Sequence, residues 1–378
     1  MKDIARTVVL QDSPHSLYFS PLLPWQQDLW SQLTARVLTS PYNLPHALLA
    51  AGMKGMGKRA FVWRFVAWLL CRERVQHPLG ACGSCESCLW LTSGTHPSLQ
   101  VLPRIAMPMS ADRATERESA TTTSKEKKTA KTNNNALLKI KVDDIRELQP
   151  FIYQGGQGVR ICVLDYADKM TIAAANALLK TLEEPQAQVH LILISDSPAQ
   201  LLPTIKSRVQ QLALQTIDTS VALEYVAKSL GSTINREAVG KVAVEQLLKL
   251  ADGAPLAAIA LAYAPWYSKR ALWLTTWQAL RSGKRSSLAA SDYWQNEIEL
   301  SDFIQLSELM LLDIRRYCLG LREVQQDIPL ATVLKNYQPS DNGLERLAHS
   351  LQQTKVALQQ NVQEKFAYDK LMQELAVL

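Results

Sequence analysis

A chain of 378 residues, 47% hydrophobic and 20% charged, has room for two or three packed domains and is too apolar to be disordered throughout. No apolar run approaches the roughly 18 residues of a membrane span, and Met1–Leu10 has no long apolar core, so neither a membrane segment nor a secretory signal is expected. The formal net charge of +6 is compatible with nearby nucleic acid, but a solvated basic face explains it equally well.

In chain order, Trp25, Leu29 and Leu33 fall four apart, which predicts a short amphipathic helix within 17–45. Ala47–Ala51 is an apolar run that reads as a buried strand. Gly52, four residues, Gly57 and Lys58 then form most of a phosphate-binding loop, with Gly55 inside it. Such glycines turn backbone N–H groups inward around phosphate oxygens, the lysine reaches the terminal phosphates, and the following helix offers its positive end. The helix predicted over 59–70 is apolar on most sides, as a buried helix is. The motif fails at its last position. Arg59 stands where a Ser or Thr would hold magnesium.

Four of the six cysteines crowd into 71–88, as Cys71 and then Cys82, Cys85 and Cys88. In a reducing cytoplasm, the compartment expected without a secretory signal, such a cluster more often binds metal than forms disulfides. Two overlapping C-x-x-C steps with a turn at Gly83 can point three thiolates at one centre, and Cys71 supplies the fourth corner of a structural zinc site. Free thiols and an iron–sulfur cluster are the alternatives; a redox pair needs two cysteines, not four.

Ser98–Leu102 reads as a second strand. Residues 110–135 contain no Val, Ile, Leu, Met or aromatic residue and read as a disordered insertion. Its lysines at 125, 127, 128 and 131 suit nucleic acid or simple solvation. Val142, Ile145 and Leu148 mark a helix, and Val159–Asp165 a third strand ending in an acid that would sit beside phosphates and magnesium. Cys162 within it reads as a small core residue. A helix over 170–182 ends at Glu183-Glu184-Pro185, and Val189–Ser195 and Val209–Leu214 read as strands four and five. Strands alternating with helices imply an α/β domain with a parallel sheet covered on both faces. From about 216 the pattern is helical throughout. A turn falls at Asp252–Pro255, and apolar faces run through Phe303, Leu306, Met310 and Ile314, through Leu344, Leu347, Leu351 and Leu358, and through Ala367, Leu371 and Leu375.

The defective loop, the four-cysteine module with its exit Cys88–Pro97, the string Asn176–Pro185 and the string Thr204–Arg208 together resemble the delta prime subunits of bacterial DNA polymerase III sliding-clamp loaders, within the AAA+ ATPases. The resemblance runs from about 20 to 265 and more loosely beyond. It implies an AAA+ P-loop-type domain over 1–215 with a zinc module at 71–97, a helical lid over 216–268, and an all-α collar over 269–378. It also implies a hetero-pentameric ring with the delta subunit and ATP-hydrolysing motor subunits, which places a sliding clamp on primed DNA in the cytoplasm. The insertion at 110–135 departs from the family's compact form.

Within that resemblance three catalytic elements are altered. Arg59 removes the magnesium hydroxyl, Tyr166 replaces the glutamate of the Walker B pattern, and Leu256 stands where motor subunits place a phosphate-sensing arginine. Gly52, Gly55, Gly57, Lys58 and Asp165 would form a degenerate site with ATP binding left open. Arg208, in Ser207-Arg208-Val209, occupies the place of an arginine finger acting in trans; from the residue alone, a surface arginine is as good a reading. Two other functions compete: a working P-loop ATPase of the motor type that tolerates Arg59 and Tyr166, and a nucleic-acid-binding protein built on the cysteine module and the basic insertion.

Overall fold

The computed structural model describes residues 14–40, 44–104, 139–153, 158–214, 216–231, 241–325, 327–335, 337–358 and 363–378. The insertion expected at 110–135 lies outside them. The chain divides into two compact units, Met1–Val239 with Gly253–Ala257, and Gly240–Asp252 with Ala258–Leu378.

The first unit begins with α1 (Pro14–Phe19), a single 3-10 turn at Pro24–Gln26, and α2 (Gln27–Thr39). The predicted stripe is shifted. Trp25 lies in the 3-10 turn, Leu29 is only half-buried, and α2 buries Trp30, Leu33, Thr34 and Val37. Next come β1 (Ala47–Ala51), α3 (Lys58–Leu70), α4 (Glu86–Thr92), β2 (Leu99–Leu102), α5 (Val142–Tyr153), β3 (Arg160–Leu164), α6 (Ile172–Glu183), β4 (Val189–Ser195) and α7 (Pro203–Lys206). The fifth strand is shorter than the apolar pattern suggested. Only Gln210–Gln211 (β5) pairs with β1 as a strand, closed by Leu212 N donating to Leu49 O at 2.9 Å, and the side chains of Leu212 and Leu214 fill the core. The helix α8 (Thr219–Gly231) follows.

The sheet is parallel, in the order β2-β3-β4-β1-β5. Register on β1 runs from Ala47 opposite Leu191 to Ala51 opposite Ser195. Because strand side chains alternate, β1 feeds two cores. Leu48 and Ala50 join α2 and α3, whereas Ala47, Leu49 and Ala51 join α5 and α6. This double burial explains the continuous apolar runs Ala47–Ala51 in β1 and Leu191–Ile194 in β4. Cys162 belongs to the second core, as a small apolar residue would.

Ten residues of α3 are buried, which accounts for its all-round apolar sequence. Trp30 meets Phe61, Phe65 and Trp68 edge-on at 6.0 Å each, and its indole N–H donates to the Pro78 carbonyl at 2.9 Å. Such a residue is worth about 3–5 kcal/mol against alanine. At the start of α6, Thr171 caps the helix by accepting from Ala174 N at 3.2 Å.

The second unit holds α9 (Lys241–Leu250) and most of α10 (Pro255–Tyr263). It continues with α11 (Arg270–Arg281), α12 (Ser287–Glu297), α13 (Leu300–Cys318), α14 (Leu330–Lys335), α15 (Asp341–Ala357) and α16 (Glu364–Val377). The predicted faces through Phe303, Leu344 and Ala367 close on one core around Trp277 and Trp294; Leu358 is only partly buried at its edge. No described helix is long and apolar enough to cross a membrane.

Candidate functional site: a P-loop closed by its own arginine

In a parallel sheet, loops at the carboxyl ends of neighbouring strands converge. Here β3, β4 and β1 lie side by side and are followed directly by Asp165, Asp196 and Gly52. The loop after β1 is tied at several points. Gly52 N donates to Ser195 O at 3.3 Å. Trp25 Nε1 donates to Met56 O at 3.1 Å, and Gln26 Nε2 to Gly57 O at 3.1 Å. Leu256, at the start of α10, donates its backbone N–H to Gly55 O at 3.1 Å. Gly55 has φ +92°, and a Cβ there would lie 2.5 Å from Ala257 Cβ. Gly57 has φ +80°, and its added Cβ would lie 2.4 Å from Leu23 Cδ1. Both glycines are needed for close approach as well as for conformation.

The two cations that open α3 do not point into an open cradle. Lys58 is 2% exposed at its side chain and donates to Met53 O at 2.7 Å and Asp196 Oδ1 at 2.8 Å. Arg59 reaches the other way. Its Nε lies 3.0 and 2.9 Å from the two oxygens of Asp165, and its Nη1 donates to Asp196 Oδ2 at 2.8 Å. Tyr166, with φ +54°, lays its ring under the guanidinium at 4.3 Å. Burial pushes the Asp165 carboxyl above its usual value, and Arg59 opposes that shift. At Asp196 burial raises, but Arg59 and Lys58 outweigh it and hold the carboxyl below its usual value. Burial lowers the Lys58 ammonium, and Asp196 opposes this. The expected acid for magnesium is thus faced by a guanidinium from the first turn of α3, 106 positions away in the chain. Arg59 Nη2 is buried without a hydrogen-bond partner among the described residues.

Arg208 stands apart from this network. It follows α7, and its Nη2 lies 2.7 Å from Glu183 Oε1 while Nη1 donates to Thr204 O at 3.0 Å.

The four cysteines of the module do come together. Cys71, Cys82, Cys85 and Cys88 place their sulfurs within 4.8 Å of one another. Cys71 and Cys85 are 3.9 Å apart, as are Cys82 and Cys88. A tetrahedral zinc with bonds of about 2.3 Å separates its sulfurs by about 3.8 Å, so this donor set fits the metal. Burial pushes the Cys71 and Cys88 thiols up; at Cys82 the amides of Cys85 and Ser84 outweigh burial and bring the thiol down to about 6. When bound, zinc would tie the end of α3 to the loop carrying Gly83, which has φ +78°.

Beside the module is a buried relay absent from the sequence reading. Ser98 N donates to His96 Nδ1 at 3.1 Å, which leaves the ring proton on Nε2 to be donated to Ser87 Oγ at 2.8 Å. Ser87 in turn donates to Leu70 O at 2.6 Å. Burial first, and Arg72 second, hold the imidazole down to about 4, hence neutral. Asp196 was also missed; its position after a strand neighbouring β1 is the signal that would have found it.

The sequence matches a family profile described as DNA polymerase III, delta subunit, over residues 25–218. DNA polymerase III subunit delta' of Pseudomonas aeruginosa is 37% identical over 239 residues, 63% of this chain and 60% of the relative. That of Yersinia pestis is 31% identical over 321 residues, 82% of each chain. A gamma-subunit-related protein of Thermotoga maritima superposes with a TM-score of 0.38 at 13% identity, over 92% of this chain and 99% of that one. With the profile covering half of its length and a relative aligned over four-fifths of both sequences, the chain belongs to the delta prime family of bacterial DNA polymerase III subunits.

Proposed function

We propose that this chain is the non-hydrolysing delta prime position of a sliding-clamp loader of the AAA+ type. In this reading it joins the delta subunit and ATP-hydrolysing motor subunits in a hetero-pentameric ring in the cytoplasm, loads a sliding clamp on primed DNA through that complex, and offers Arg208 to a neighbouring motor subunit's ATP site. Residues 1–215 serve as the AAA+ domain, 216–268 as the lid and 269–378 as the collar. The zinc at Cys71, Cys82, Cys85 and Cys88 is structural.

The observation that carries the non-hydrolysing part is the Arg59 guanidinium lodged between Asp165 and Asp196. It occupies, with its charge, the electrostatic role of a magnesium ion. The replacement of the Walker B glutamate by Tyr166, whose ring stacks on Arg59, and the apolar Leu256 point the same way. The motor-type ATPase alternative needs all three tolerated at once. Magnesium-dependent ATP turnover by the isolated chain, measured beside a motor subunit, decides between them: background turnover is expected, and turnover lost on Lys58→Ala would establish the alternative.

A further inference from the structure

The string Asn176–Pro185 ends α6 in two carboxylates, Glu183 as its last residue and Glu184 as its C-cap. A carboxylate there faces the negative end of the helix dipole, so neither residue serves the helix that it closes. Local rules broken in this way often mark a site with another duty. Glu183 Oε1 reaches Arg208 Nη2 at 2.7 Å. The other edge of the same guanidinium, Nη1, donates to Thr204 O at 3.0 Å and to Ser207 Oγ at 3.3 Å. Two elements therefore grip one side chain.

The grip on the α6 side is anchored. Leu182 is buried in the core, and its carbonyl lies 3.1 Å from His46 Nε2, at the entry to β1. The pair itself is at the surface, with side chains 50% exposed at Glu183 and 36% at Arg208. Exposed pairs contribute little to stability. They do bias orientation, and a planar guanidinium with five donors can hold one carboxylate while presenting its remaining N–H groups elsewhere.

We propose that Glu183 is a positioning residue for Arg208, holding the guanidinium with its unshared N–H groups turned outward toward a phosphate of the neighbouring subunit. This rests on the reading of Arg208 as a finger in trans. A finger acts on charge that develops in the transition state, so its misplacement lowers kcat and leaves KM for ATP nearly unchanged.

The test is DNA-stimulated ATP turnover of the reconstituted loader, with clamp and primed DNA, carrying wild type, Glu183→Gln, Glu183→Asp, Arg208→Ala or the Glu183→Gln/Arg208→Ala pair. Equal assembly of all five is established first by gel filtration. Glu183→Gln is expected to lower kcat by about fivefold, the bias an exposed pair of this kind supplies. KM should not move, Glu183→Asp should recover part of the loss, and Glu183→Gln should do nothing further once Arg208 is gone. A Glu183→Gln rate equal to or above wild type, or a full extra loss on the Arg208→Ala background, overturns the positioning role while leaving the finger intact. An Arg208→Ala rate equal to wild type removes the finger itself, and the proposal with it.

Discussion

Arg59 Nε touches both oxygens of Asp165, at 3.0 and 2.9 Å, and the same guanidinium reaches Asp196 at 2.8 Å. Asp165 is 2% exposed, so without Arg59 it would be a buried carboxylate stripped of the ion pair that its two oxygens make. Arg59→Ala should cost about 3 kcal/mol for that reason. Adding Asp165→Asn should restore much of the loss, because the uncompensated charge is gone. Denaturant unfolding of the two single variants and the pair checks this. Strictly additive losses would mean that the two side chains do not depend on each other.

Gly55 should not accept a side chain. Its φ of +92° already disfavours one, and an added Cβ would lie 2.5 Å from Ala257 Cβ and 2.6 Å from Ala257 N. Gly55→Ala is expected to destabilise by about 2 kcal/mol. Ala257→Gly should relieve only part of that, since the backbone nitrogen stays where it is. Thermal unfolding of the single and double variants reads both effects; full relief would place the strain in the Ala257 side chain alone.

His96 makes stability depend on pH in a predictable direction. Its imidazole is held at about 4, below the ordinary 6.5, so the unfolded chain binds the proton more readily. The contribution is complete above about pH 6.5 and is lost as pH falls toward 4, by up to about 3 kcal/mol. Between pH 7.5 and 5, wild type should lose more unfolding free energy than His96→Gln does, while His96→Gln is the less stable of the two at pH 7.5. Parallel losses in the two proteins would show that the buried imidazole titrates normally.

The metal prediction is analytical. Purified protein should carry about one zinc ion per chain, as a closed four-cysteine site does. Cys88→Ser should release it and open the 71–97 module to proteolysis at Arg72 or Arg74, with the sheet core still protected. Substoichiometric zinc, or iron with visible absorption, would contradict a structural zinc site.

Much of the first unit was legible because its strands and buried helix write their burial directly into continuous apolar runs. Ala47–Ala51 and Val189–Ser195 match the observed strands at both ends. The fifth strand was overread, since Leu212 and Leu214 are apolar for the core and not for the ladder. Along α2, the stripe through Trp25 gave way to one through Trp30, because the helix starts only at Gln27. At the site, the departure from the phosphate-loop pattern at Arg59 could be read from one position. That its guanidinium fills the gap between Asp165 and Asp196 could not, because those partners lie more than a hundred residues along the chain and meet only through strand order. The Glu183–Arg208 pair was hidden for another reason: each residue sat in a recognisable string, and nothing in either string names the other.

The most direct test of the account is DNA-stimulated ATP turnover by the reconstituted loader, comparing this chain with its Arg208→Ala variant after equal assembly is established. The account predicts a clear drop, set by the share of turnover that passes through the site Arg208 serves, where loss of a finger costs roughly 10³-fold or more. Equal rates would contradict it, and would leave the chain a ring member that takes no part in its neighbours' chemistry.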